Sequence, residues 1–165
     1  GLNLISLPGE AASSAINDVI PADHPINQVL TYDPGVVGGW LVAERGDDGL
    51  FAGTLTTMGP NLAYFVRTTT FEALSVLIPR VSVGQQVLPP SISLAEGWNL
   101  VPVVDVSGDL IAGATLDTSA NYLPSTTVRV FKLDGGNLKA VLTTDNLAVG
   151  AGYWVYVSAA TVLVP

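Results

Sequence analysis

The string most suggestive of chemistry is Ala114-Thr115-Leu116-Asp117-Thr118-Ser119-Ala120-Asn121. Asp-Thr followed by a small residue and Ala suits a turn where two aspartates share one proton and activate water. Asp117 stands alone, so a second copy of the chain would have to complete the pair. Service as a helix N-cap accounts for the string more simply. The single histidine, His24, sits between Pro21 and Pro25, and no Gly-x-Ser-x-Gly elbow accompanies it. A surface-loop histidine is the better reading, and one histidine does not make a zinc site. Oxygen ligands leave calcium as the metal to consider. Glu44, Asp47 and Asp48 form one acidic group; Asp105 and Asp109, with Ser107 and Gly108, form another. Neither has the spacing of an EF-hand loop, and turn residues on a solvated edge account for both. No other cofactor is implied. Tyr64, Phe65, Tyr153, Trp154 and Tyr156 lie on two related runs whose side chains alternate between faces. Any ring turned outward could stack on a sugar, which makes Tyr64, Trp154 and Tyr156 the candidate ligand contacts. Core packing is the commoner use of such residues, and it is the one expected for Trp40, Trp98, Trp154, Tyr32 and Phe131.

Composition narrows the function classes. The chain has 165 residues with 14 acidic and 6 basic side chains, a formal charge of -8. Nucleic-acid binding needs a basic footprint, and none is present. The hydrophobic content of 48% is too high for intrinsic disorder. There is no cysteine, which removes disulfides, thiolate metal sites and thiol catalysis. The first residue is glycine rather than methionine, so a processed chain or a piece of a longer one is expected. Residues 146–165 carry no charge. Their glycines, aromatics and β-branched residues suit strands better than a lipid-facing helix, so no membrane insertion is expected.

The elements that would position these residues come in two copies. GLNLISLP at residues 1–8 matches GWNLVPVV at 97–104. VLTYD at 29–33 matches RVFKLD at 129–134, and LTT at 55–57 recurs at 142–144. AYFV at 63–66 matches GYWV at 152–155, and VLIP at 76–79 matches VLVP at 162–165. Five matches in one order define a repeat over residues 1–79 and 97–165, with 80–96 as a linker or bridging strand. Residues 45–51 and 133–138 are hairpin turns at what the repeat makes matching places. Residues 9–21 read as a helix capped by Ser13 or Ser14 and stopped by Pro21; residues 116–124 read as one capped by Asp117 and stopped by Pro124. The expectation is a mainly β fold. Two homologous repeats, each with one short helix, would pack as one globular sandwich or barrel-like unit about a pseudo-two-fold axis.

The opening Gly97, Trp98, Asn99 and Leu100, the middle Phe131 and Asp134, and the late Gly152, Tyr153, Trp154 and Val155 resemble the "GWNLISLP" repeat modules. Those modules occur in large secreted and cell-surface proteins of bacteria and archaea. The first unit departs with Leu2 for the tryptophan and Ala63 for the glycine. The resemblance implies an extracellular or cell-surface, S-layer-like structural module, and it brings no catalytic residue. Its implied partners are other surface-protein domains or like chains. The terminal strands, including the uncharged C-terminal run, would then be candidates for pairing between chains. A carbohydrate-binding module of a secreted enzyme, with glycans as partners, is the alternative. The string around Asp117 is also similar to the turn of retropepsin-type aspartic hydrolases, with Ser119 where glycine is usual.

Overall fold

The computed structural model describes residues 1–79, 91–104 and 115–165. The fold is mainly β. Its strands are β1 (Leu2–Ser6), β2 (Ile26–Tyr32), β3 (Trp40–Arg45), β4 (Phe51–Gly53), β5 (Ala63–Thr68), β6 (Ile92–Leu94), β7 (Gly97–Pro102), β8 (Thr115–Thr118), β9 (Thr127–Asp134), β10 (Asn137–Ala140), β11 (Asn146–Ala148), β12 (Gly152–Val157) and β13 (Thr161–Leu163). Two single-turn helices, α1 (Ile16–Val19) and α2 (Ser119–Tyr122), precede β2 and β9. All named pairings are antiparallel, and among the described residues no barrel closes.

The larger sheet runs β1-β5-β2-β3-β4, and the second runs β10-β9-β12-β7. Two short ribbons, β11-β8 and β13-β6, complete the set. Each large sheet turns one mainly apolar face over its own core. Leu7, Ile20, Val29, Met58, Tyr64 and Val66 fill the first core; Val101, Val103, Leu147, Tyr153, Val155 and Val157 fill the second. The period-2 alternation of strands produces this, with Tyr64 and Val66 inward on β5 and Tyr153 and Val155 inward on β12.

The opposite faces of the two sheets meet each other. Leu4, Ala63 and Leu100 are buried together there. A Cβ placed on Gly152 would lie 2.6 Å from the Ala63 Cβ and 3.0 Å from the Ile5 carbonyl oxygen, so β12 approaches β1 and β5 only because residue 152 has no side chain. Polar groups fasten the same seam. The Ser6 amide donates to the Gly150 carbonyl at 2.8 Å, and the Ser6 hydroxyl donates to the Ala151 carbonyl at 2.9 Å.

Several local expectations change. The predicted helices shrink to four residues each. Ser13 and Ser14 do not cap α1, whose N-cap is Ala15. The Ser13 hydroxyl instead donates to Asp18 at 2.6 Å. Serines compete with helical backbone bonds in this way. Thr118 rather than Asp117 is the N-cap of α2. The turn at 133–138 is a two-residue hairpin loop: Asp134 pairs with Asn137, and Gly135 and Gly136 both have positive φ, as a type I′ turn requires. The turn at 45–51 joins β3 to β4 and has no counterpart beyond β10 in the second sheet. The terminal strands pair within the chain, β1 with β5 and β13 with β6.

Candidate aromatic site between the sheets

Strand alternation puts Tyr32, Trp40 and Phe65 on the outer face of the first sheet, in line with Leu4, which pairs with Phe65. The same rule puts Trp98, Phe131, Trp154 and Tyr156 on the outer face of the second, where Trp98 pairs with Tyr156 and Trp154 with Phe131. Because these two faces meet, the seven rings form one cluster.

Trp154 is its centre. It stacks on Trp40 with ring centroids 5.9 Å apart and planes 16° from parallel. It stacks on Trp98 at 5.7 Å and 12°. Tyr32 meets Trp154 edge-on at 5.5 Å and meets Trp40 edge-on at 5.3 Å. Phe65 leans on Trp154 at 6.4 Å, and Trp98 carries Tyr156 and Phe131 at 5.2 and 5.9 Å. Parallel rings this close are offset-stacked, so each covers part of its neighbour's face. They do not lie side by side as a flat platform. The arrangement contributes roughly 0.5–1.5 kcal/mol per pair beyond area burial.

The expected core role of these rings is corrected in one respect. Trp40 is 45% exposed, while Trp98, Trp154, Tyr32 and Phe131 are half-buried. They seal the outside of the seam, whereas the two cores are mostly aliphatic, with Phe51 and Tyr64 in the first and Tyr122 and Tyr153 in the second. The reason is the second apolar face of each sheet, which has a partner over only part of its area. Of the candidate ligand contacts, Trp154 and Tyr156 belong to the cluster. Tyr64 does not. It is 1% exposed on the opposite face, and its hydroxyl accepts the Gly59 amide at 2.8 Å. Burial pushes its pKa up to about 12. Tyr153 accepts the Ala148 amide at 3.0 Å, and Tyr122 accepts the Val104 amide at 3.1 Å; burial raises both phenols as well.

The acidic candidates do not converge. The Glu44 carboxylate accepts from Gln28 at 2.7 Å, and the Asp48 carboxylate accepts the Leu50 amide at 3.0 Å. Asp47 is exposed in the same turn. Among the described residues no three His, Cys, Asp or Glu side chains gather as metal ligands. Asp105 and Asp109 lie outside the described residues. Asp117 is exposed, and its carboxylate accepts the Thr118 amide at 2.6 Å and the Asn121 amide at 3.1 Å. These bonds fix the turn into α2.

His24 is buried, not a surface-loop residue. Its Nδ1 accepts the Ile26 amide at 3.3 Å. The loop is drawn down by Arg45, whose guanidinium donates to the carbonyls of Ile26 at 2.7 Å, Ala22 at 2.9 Å, Pro21 at 3.0 Å and also Gly49. The same guanidinium stands 4.3 Å from the centre of the Phe51 ring. Sequence reasoning missed this clamp. An arginine beside a hairpin turn reads as solvated until the carbonyls around it are known.

Among the described residues no helix is long and apolar enough to cross a membrane. No protein-family model matches the chain, and neither a curated protein nor a solved structure matches it.

Proposed function

We propose that this chain is a non-enzymatic structural module of an extracellular or cell-surface protein, serving adhesion or assembly. In this reading residues 1–79 and 97–165 are homologous repeats related by a pseudo-two-fold axis. One observation carries it: residues matched by the sequence repeat meet one another at the seam. Leu4 and Leu100 are buried in one cluster, and Ala63 faces Gly152 at closest approach. The strand orders support the same correspondence, with β1, β5, β2 and β3 answering to β7, β12, β9 and β10. So do Tyr64 and Tyr153, each of which takes an amide five residues earlier. The aromatic rings then act as a lock between repeats. Their faces are partly covered by one another, and among the described residues no three His, Cys, Asp or Glu side chains gather as metal ligands. The resemblance to the "GWNLISLP" modules supports the surface location.

Carbohydrate binding remains the second reading, favoured by the exposure of Trp40. Iodide quenching of the three tryptophans, repeated with a panel of polysaccharides, separates the two. A structural lock gives quenching dominated by Trp40, unchanged by any glycan. A glycan that shields tryptophan in proportion to its concentration would replace the structural reading with the binding one.

A further inference from the structure

The outer edges of the two large sheets are finished differently. On β4, the backbone groups of Phe51 point away from β3. The Asn17 side chain closes both: Phe51 donates its amide to Asn17 Oδ1 at 2.7 Å, and Asn17 Nδ2 donates to the Phe51 carbonyl at 3.2 Å. On the seam side, β1 is joined to residues 150–151 through the Ser6 amide and an Ile5–Ala151 bridge. Strand β7 is buried from Asn99 to Pro102. Of the four outer strands, only β10 has every residue exposed.

The register states which groups β10 leaves open. Asp134 and Asn137 close the two-residue loop as a hydrogen-bonded pair, Lys139 pairs with Lys132, and the Val141 amide donates to the Val130 carbonyl at 2.9 Å. In an antiparallel ladder bonded and non-bonded pairs alternate. Leu138 and Ala140 therefore turn their N–H and C=O groups toward an edge that pairs with no other strand among the described residues. Their side chains share a face with Leu133 and Phe131, whereas Lys139 shares the other with Lys132. Leu138 is 53% exposed. Lys132 and Lys139, together on one face of β9 and β10, are two of the 6 basic residues in a chain of charge -8, and Arg129 lies on the opposite face beside Tyr156. Asp134 offsets one of them by pairing with Lys139 at 2.6 Å.

We propose that the edge of β10 binds an extended partner strand whose residues alternate between acidic and apolar. Backbone bonds would form at Leu138 and Ala140, as in strand addition generally. Acidic side chains would face Lys139 and Lys132, and apolar ones would continue the row of Leu138 and Ala140. A second copy of β10 is disfavoured as occupant, because a two-fold pairing would bring the two basic ribbons together. The inference deepens the assembly role and rests on it for the source of the strand.

The test is amide hydrogen exchange on the whole chain, with and without the peptide acetyl-Thr-Glu-Val-Glu-Val-Glu-Thr-amide. Leu138 and Ala140 should exchange freely in the chain alone and slow by about tenfold or more with saturating peptide. The matching lysine peptide should leave them unchanged. Leu138→Pro removes an outward donor without touching the β9 ladder, and it should abolish the effect. Should that variant fold poorly, Lys139→Glu serves instead and should shift preference toward the lysine peptide. Equal slowing by both peptides, no slowing by either, or protection already complete without peptide would each overturn the proposal. Failure of the assembly role itself would appear elsewhere, as glycan shielding of the tryptophans.

Discussion

The buried tyrosines show how single residues hold this fold. Tyr64, Tyr122 and Tyr153 fill apolar cores, and each phenol oxygen accepts a backbone amide, buried at Val104 and part-buried at Gly59 and Ala148. Tyr64→Phe keeps the ring but strands the Gly59 amide. The expected cost is about 1–2 kcal/mol in denaturant unfolding, with an unchanged m-value. Wild-type stability within error would mean that the bond is replaced by solvent. The same burial makes stability fall in alkali. Tyr64 is held protonated up to about 12 in the folded chain, against an ordinary value of 10.0. The unfolded chain therefore releases its proton first, and stability is full below pH 10 and lost as pH rises toward 12. The loss from this group is on the order of 2–3 kcal/mol. Tyr122 and Tyr153 act in the same direction. A flat stability profile across that range in urea titrations would contradict the buried placement, and Tyr64→Phe should flatten part of it.

At the scale of elements, the seam depends on a close approach that glycine alone allows at position 152. Gly152→Ala puts a methyl group 2.6 Å from Ala63 Cβ and 3.0 Å from the Ile5 carbonyl oxygen. The sheets must shift, at an expected cost of about 1–3 kcal/mol. Adding Ala63→Gly removes the tightest of three close contacts, the others being the Ile5 carbonyl oxygen and Leu4 Cδ1 at 3.0 Å, so the double variant should recover part of the loss. Additive losses in the double-mutant cycle would show that the two positions do not press on each other. Much at this scale was legible in the sequence. β-rich runs bounded by glycine, proline or aspartate located β1, β2, β3 and β5, the repeat matches pointed to β7, β9 and β12, and Gly135-Gly136 marked a tight hairpin, whereas the β-rich run at residues 73–78 forms no strand. The helices were overread because Ile16, Val19 and Ile20 give an apolar face at helical spacing, while the backbone makes a single turn there and the core takes the same residues. The hairpin at 45–51 was matched to 133–138 because both carry Asp-Gly; in the structure 45–51 joins β3 to the edge strand β4, and 133–138 joins β9 to the edge strand β10.

For the molecule as a whole, alternation separates the two faces of a strand but does not say which one meets a neighbour. Trp40, Trp98 and Trp154 look like core residues by type, yet they lie on the faces the two sheets turn toward each other. Only the pairing register and the approach of Gly152 to Ala63 reveal that. The two larger cores are drawn from separate stretches of chain, and they touch through Leu4, Ala63, Leu100 and the rings around Trp154. Among the described residues, the halves are coupled by this contact together with the Ser6 bonds to Gly150 and Ala151 and the Ile5–Ala151 bridge. The intact chain should unfold in one calorimetric transition whose enthalpy equals the van't Hoff value. Trp154→Ala removes the ring on which Trp40, Trp98, Tyr32 and Phe65 all lean. Its expected cost is about 3 kcal/mol, at the low end for excising a large aromatic because the ring is half-buried. The more telling outcome is qualitative. With the centre of the lock gone, the calorimetric enthalpy should exceed the van't Hoff value as the halves melt separately, and tryptophan fluorescence should change before far-ultraviolet ellipticity. A single transition that moves down in temperature with coincident probes would mean that Leu4, Ala63, Leu100 and the Ser6 bonds couple the halves without the rings.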